Sequence, residues 1–417
     1  MAEQTNTPEL RFPEFRDKWS IYKLFEVLKS KTEGMKRGPF GGALKKEIFV
    51  EDGYAVYEQR NAIYDNQDFR YFIDENKYKE MILFSVLPGD IIMSCSGTIG
   101  RLSLIPNNYR EGVINQALIR FRTNNAVFNN YFLIYMRSMY MQRKMLEINP
   151  GSAITNLIPV KELKLLDFPL PSLDEQKKIS DFFSKLDQQI ELEEKKLKLL
   201  EQQKHGYMQK IFSRELRLKD ENGNLSPEWT QTQLKNITNR ITRKNKKLES
   251  TRPLTISGQL GLIDQVEYFN KSVSSKNLEN YTLLQKNEFA YNKSYSNGYP
   301  LGAIKRLTRY DKGVLSSLYI CFSINSDISV DFMQYYFEST KWFREVASIA
   351  VEGARNHGLL NISVNNFFDI NIKLPSLENQ KKISSFLIKI DNLIEKQSSK
   401  VELLKQRKQG LLQKMFV

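Results

Sequence analysis

The chain has 417 residues, too many for one ordinary hydrophobic core, so two or more domains are expected. Hydrophobic residues make up 41% and aromatics 12%, which argues against a disordered chain, and no run of about eighteen apolar residues is present to span a membrane. With 62 Lys and Arg against 48 Asp and Glu the formal charge is +14, which favours a polyanionic partner such as nucleic acid over a neutral one. The basic residues are spread along the chain, not gathered on one amphipathic helix as an anionic membrane surface would require. Cys95 and Cys321 are the only cysteines, so neither a disulfide framework nor a four-cysteine zinc site is expected, and both read as small buried residues. The polar start Met1–Pro8 does not resemble a secretion signal, and a cytoplasmic protein is expected.

In chain order, the first half opens on Leu10-Arg11-Phe12-Pro13-Glu14-Phe15 and Trp19. The stretch Gly38-Pro39-Phe40-Gly41-Gly42 lacks the spacing of a phosphate-binding loop and reads as a turn-rich loop able to approach DNA. Reading bases requires paired donors and acceptors, such as Arg for guanine and Asn or Gln for adenine. Candidates are Lys36 and Arg37, the run Gln59, Arg60 and Asn61, and Ser94, Ser96 and Thr98 in one turn. An aromatic helix is expected over Tyr131–Glu147, then a strand-like run, Leu165–Leu170, that Pro171 stops.

From Ser172 the pattern changes. Ser172…Glu175 resembles a capping box. Ile179, Phe183, Leu186, Ile190, Glu193, Leu197, Leu200, Lys204, Tyr207 and Ile211 then follow one another at alternating spacings of four and three. A seven-residue repeat of this length predicts a coiled-coil helix.

The second half opens on Ser226-Pro227-Glu228-Trp229. Its candidate base-reading residues are Gln259, then Asn292, Lys293 and Tyr295, then Arg355, Asn356 and His357; the run Arg240–Lys247 reads as phosphate-contacting. An aromatic helix over Asp331–Ala350 echoes the first, and a strand-like run, Phe368–Leu374, again ends at a proline. Residues 374–417 then repeat 170–213 without a gap, with 23 of 44 positions identical. The second seam is Ile383, Leu387, Ile390, Ile394, Gln397, Val401, Leu404, Lys408, Leu411 and Met415. An antiparallel pairing of the two helices, with pseudo-twofold symmetry, sets Lys204 near Asp391 and Lys408 near Asp187; the alternative is that these lysines lie where the seam frays. About forty residues at ~1.5 Å each give a rod of ~60 Å, long enough to space two major-groove readers ~34 Å apart.

Catalytic motifs are missing. There is no Asn/Asp-Pro-Pro-aromatic motif of an adenine methyltransferase, no phosphate-binding loop, and only His205 and His357 for imidazole chemistry. Pro171…Asp174-Glu175-Gln176-Lys177 superficially matches a metal-dependent nuclease pattern, but acids at a helix start serve the helix dipole, and the repeat carries Glu378 and Asn379 there. No metal site is expected.

Two unlike domains, each followed by a Leu-Pro-Ser-Leu-x-x-Gln-Lys-Lys-Ile segment, resemble the specificity subunits of type I restriction-modification systems. The resemblance covers essentially the whole chain. It implies an α+β protein with target-recognition domains at 1–168 and 214–370 and spacer helices at 169–213 and 371–417. It also implies that both domains share one fold and that each reads half of a gapped double-stranded DNA site. The helices would bind two adenine methyltransferase subunits, and the complex would recruit two translocase-nuclease subunits. S-adenosylmethionine, ATP and Mg²⁺ would belong to those partners, with no cofactor on this chain. Two other readings stay open from the residues: a self-contained DNA-modifying enzyme, and a coiled-coil adaptor that touches no DNA.

Overall fold

The computed structural model describes residues 7–30, 32–40, 42–148, 159–217, 225–270, 277–294, 298–350 and 360–416. The chain is α+β and divides into two compact units, residues 1–194 with 399–417 and residues 195–398, so the dividing line runs through the two long helices.

In the first unit, Ser20–Lys23 pairs antiparallel with Asp167–Leu170, joining the entry of the domain to its exit. Between them lies a four-stranded antiparallel sheet in the order Met35–Arg37, Leu118–Phe121, Ile91–Ser94, Leu102–Leu104. Its central strands are buried at every residue, as a sheet covered on both faces requires. A second sheet holds Tyr54–Tyr57 between Phe72–Ile73 and the parallel strand Gly112–Ile114.

The second unit repeats this plan. Thr230–Gln233 pairs with Asn371–Leu374, and the four-stranded sheet runs Thr238–Arg240, Ile320–Ile324, Phe289–Asn292, Ala303–Arg306. Two antiparallel pairs, the hairpin Leu254–Ser257 with Gly261–Asp264 and Thr282–Gln285 with Lys312–Leu315, complete it.

Each expected aromatic helix is in fact two. The first breaks into Asn129–Arg137 and Met139–Glu147 because Ser138 leaves the helix and its hydroxyl accepts the N–H of Met141, capping the next one. The second breaks into Val330–Glu338 and Phe343–Ile349. The run Phe368–Leu374 is likewise divided: Phe368 and Asp369 close a short helix, Val364–Asp369, that Ser363 caps, and only Asn371–Leu374 is strand.

The predicted helices span Leu173–Ser213 and Leu377–Lys414. They pack antiparallel within each unit. In the first, Ile179, Phe183, Leu186 and Ile190 share a core with Leu404, Met415 and Phe416. In the second, Ile211 and Phe212 share one with Ile383, Leu387 and Ile390. Val401 is also buried, whereas Leu197, Leu200 and Ile394 are half-buried, as a seam of two helices alone leaves them. Tyr207 departs from the pattern: it is 40% exposed and packs edge-on to Phe386, while Met208 turns inward. A helix of 3.6 residues per turn drifts off a strict seven-residue repeat, and near its end the neighbouring position takes over.

The expected lysine pairs form. Lys204 lies 2.7 Å from Asp391, with Glu338 at 3.5 Å and the Tyr335 ring beneath it; Tyr335 also donates to Asp391 at 2.6 Å. Burial works to lower the Lys204 pKa, but Glu338 and Asp391 outweigh it and the pKa is raised. Lys408 pairs with Asp187, and Lys400 with Glu193.

The capping box is only half made. Ser172 accepts the N–H of Glu175 at 3.4 Å, but the carboxylate of Glu175, 1% exposed, turns to Arg11 (2.7 Å at each oxygen) and the Trp19 indole N–H (3.2 Å). In the second unit Asn379 stands in its place, and Arg214 and Arg217 turn to Glu228.

The glutamine of the repeat has a distinct task in each unit. Gln176, fully buried, accepts the N–H of Phe128 at 2.8 Å and donates to the carbonyls of Ala126 and Pro171. Gln380 accepts the N–H of Ser329 at 2.9 Å and donates to Pro375. Each fastens the residue just before an aromatic helix to the start of a spacer helix. Replacing Gln380 by Leu leaves a buried N–H and C=O unpaired, and we expect a loss of about 2–4 kcal/mol in chemical denaturation. Lys204→Met should cost about 1–3 kcal/mol by stranding two half-buried carboxylates. Lys408→Met, opposite a more exposed Asp187, should cost under about 1 kcal/mol in the same assay.

Candidate nucleic-acid interface

In the first unit the strand registers bring four loops to one end of the domain. Arg37 ends its strand opposite Ile119, Ser94 ends its strand opposite Leu118, and Tyr57 and Ile114 finish side by side. The segments that leave these points carry Gly38, Gln59, Ser96–Thr98 and Gln116. Gly38 is required there, since a Cβ would lie 1.8 Å from the carbonyl oxygen of Asn115. Gln59 donates from Nε2 to the carbonyl of Thr98 at 3.2 Å, tying its helix (Gln59–Tyr64) to the serine-rich turn.

On this edge Thr98 and Gln116 are exposed, and Lys36, Arg37, Gln59, Arg60 and Ser96 are half-buried. The Arg37 guanidinium stacks 4.7 Å from the centre of the exposed Phe40 ring, and its buried Nε has no hydrogen-bond partner. Lys36 lies 5.2 Å from the Phe84 ring. Cys95 is buried beneath, and burial pushes its thiol pKa up, away from nucleophilic chemistry.

Two expected readers face inward instead. Asn61 is 1% exposed; its oxygen accepts the N–H of Glu58, and its amide donates to the carbonyls of Asn66 and Asp68. Ser94 is fully buried and accepts the N–H of Arg101 at 3.0 Å. Both shape loops. Gln116 was missed; its only sequence signal is the polar pair Asn115-Gln116 between two apolar runs.

The second unit gathers the matching strand ends. Gln259 is exposed on the turn between Leu254–Ser257 and Gly261–Asp264. The Tyr299 hydroxyl donates to the Gly258 carbonyl at 2.7 Å and holds that turn, with the ring where a Cβ on Gly258 would have to be. Asn292 and Lys293 are half-buried: Asn292 accepts the N–H of Ser294, and Lys293 donates to the Ile362 carbonyl at 3.3 Å. Tyr295, Arg355, Asn356 and His357 lie outside the described residues. In the basic run, Arg243 pairs with Glu288 at 2.8 Å and Lys244 donates to the Asn280 carbonyl, while Arg240, Lys246 and Lys247 are exposed.

Not all of the positive charge faces outward. Arg120 is 2% exposed and donates to the carbonyls of Ser85 and Glu33, and Arg122 makes a two-pronged pair with buried Asp90 at 2.8 Å. Among the described residues no group of three His, Cys, Asp or Glu could hold a metal ion, and no helix is long and apolar enough to cross a membrane.

Comparison with known proteins places this edge in context. Residues 16–202 match the type I restriction modification DNA specificity domain. The chain is similar to type I restriction-modification specificity subunits. It is 24% identical over 245 residues to the MjaX specificity subunit of Methanocaldococcus jannaschii, covering 56% of each chain. It is 24% identical over 324 residues to the MjaVIII specificity subunit of the same organism, covering 73% of this chain and 74% of that one. The chain thus spans little more than half the length of the first of these relatives. Its fold is shared with the crystal structure of a type I S subunit from M. genitalium, with a TM-score of 0.54 and 16% identity over 99% of both chains.

The inward and outward side chains of this edge separate experimentally. Asn61→Ala should destabilise the protein by about 1–3 kcal/mol, because it strands buried hydrogen-bonding groups. Gln116→Ala should leave the melting transition within about 0.5 kcal/mol of the parent.

Proposed function

We propose that this chain is the non-catalytic subunit that reads a gapped, two-part double-stranded DNA site, one part by each unit. The observation that carries the reading is the repetition of one edge on unlike side chains. The same sheet order brings Arg37, Gln59 and Gln116 to the strand ends in one unit, and Arg240, Gln259 and Asn292 in the other. Equal scaffolds with different donors and acceptors suit two half-sites of different sequence. Exposed Arg240, Lys246 and Lys247 suit phosphate contacts.

The repeated helices support a pair of identical partner subunits. Leu199 and Leu403 hold matched positions of the repeat and are 54% and 65% exposed, so each copy offers the same apolar contact. In this reading those partners are adenine methyltransferase subunits carrying S-adenosylmethionine. Two translocase-nuclease subunits carrying ATP and Mg²⁺ join the complex, and the assembly works in the cytoplasm. This chain supplies the address and no chemistry.

Co-expression with the methyltransferase subunit, followed by genome-wide mapping of adenine methylation, tests this. A gapped motif should be marked only when both proteins are present; methylation or cleavage by the purified chain alone would refute the non-catalytic assignment. Arg37→Ala should relax one base position in one half-site, at about 1–3 kcal/mol of discrimination, and leave the other half-site unchanged. Leu199→Asp should reduce the bound methyltransferase from two copies to one by mass measurement of the complex.

A further inference from the structure

Beside the turn that carries Gln259, the second unit contains a polar cavity of about 170 Å³, lined by Gln259, Lys305, Arg306, Thr308, Gln334 and Glu338 among others. Most of its charged groups are already matched. Arg306 is held by Asp331 and by the Asn287 side-chain oxygen at 2.6 Å, and Glu338 faces Lys204 at 3.5 Å. Lys305 is different. It is half-buried on the strand Ala303–Arg306, its ammonium lies 5.4 Å from the centre of the Tyr299 ring, and no described carboxylate closes a salt bridge with it. Burial pushes its pKa down, with the Lys204 charge acting the same way and Glu338 opposing both.

A partly desolvated ammonium with a ring face beneath it and no carboxylate in salt-bridge contact is costly unless something supplies acceptor atoms. The cavity opens beside Gln259, on the edge that the proposed function assigns to DNA. Tyr299 serves both groups, because its ring lies by the Lys305 ammonium and its hydroxyl fixes the turn of Gln259 through Gly258.

We propose that Lys305 is a DNA-contacting residue of the second unit, its ammonium taking an acceptor oxygen or nitrogen of the DNA. The O6/N7 edge of guanine fits a lysine donor, with Gln259 alongside; a phosphate oxygen shares the chemistry. Tyr299 is then a positioning residue. This inference rests on the DNA-reading assignment above.

The test uses the full chain co-expressed with the methyltransferase subunit, with Lys305→Met and Lys305→Arg beside the parent. Methylated motifs are mapped, and affinity for a duplex carrying the parent motif is measured across salt concentrations. Lys305→Met should lose about 5- to 150-fold discrimination at one guanine position of one half-site. Lys305→Arg, which keeps the charge and donors, should retain it and guards against loss of folding in the methionine variant. If the acceptor is a phosphate, the motif stays intact while binding weakens on all sequences and the salt slope falls by about one. A Lys305→Met protein with unchanged motif, affinity and salt slope overturns the proposal. So does one that merely melts earlier while motif and salt slope are kept. Should the parent complex mark no gapped motif at all, the DNA-reading assignment falls first, and this inference with it.

Discussion

The structure depends on burying the ends of two long helices in the cores of the domains they adjoin. An isolated pair of helices leaves its seam partly wet, and Leu197, Leu200 and Ile394 show this. At the ends the burial becomes complete. Phe416 sits among Trp19, Tyr131, Tyr135 and Phe183, and its counterpart in the repeat, Phe212, sits among Trp229, Phe332 and Tyr336. Each helix end is therefore part of a domain core, and neither the domain nor that stretch of helix has a complete apolar face without the other.

Polar groups then fix which arrangement of that apolar material is adopted. Hydrophobic packing is tolerant of small slips, whereas a buried amide is not. Gln176 and Gln380 each close hydrogen bonds at a defined point of the aromatic helix and of the spacer helix. The lysine-aspartate pairs do the same for helix register. Their value lies in excluding other registers more than in net stability, since a partly buried ion pair recovers little beyond its own desolvation.

Once the scaffold is fixed in this way, the loops at one end of the sheets are free to differ. The two units keep one strand order while the residues at the strand ends change from Arg37, Gln59 and Gln116 to Arg240, Gln259 and Asn292. The positive charge behaves similarly. Arg120, Arg122 and Arg243 are committed to internal partners, so the net charge overstates what a polyanion would meet, and the placement of the remaining basic groups matters more than their sum.

The sequence alone determined the helices and pointed to their antiparallel pairing and to Asp391 and Asp187 as partners of Lys204 and Lys408. That information is local and periodic: a residue's place in a seven-residue repeat, with a second copy to align, fixes its face. It also pointed to the segments that form the candidate interface, because polar turns between apolar runs mark strand ends. It did not separate Gln59, half-buried at the edge, from Asn61, buried two residues later and spent on its own loop. Nor did it single out Gln116 or Lys305. Which way a side chain faces at a strand end depends on pairing between strands distant in sequence and on the loops that pack over them, so tertiary structure alone decided it.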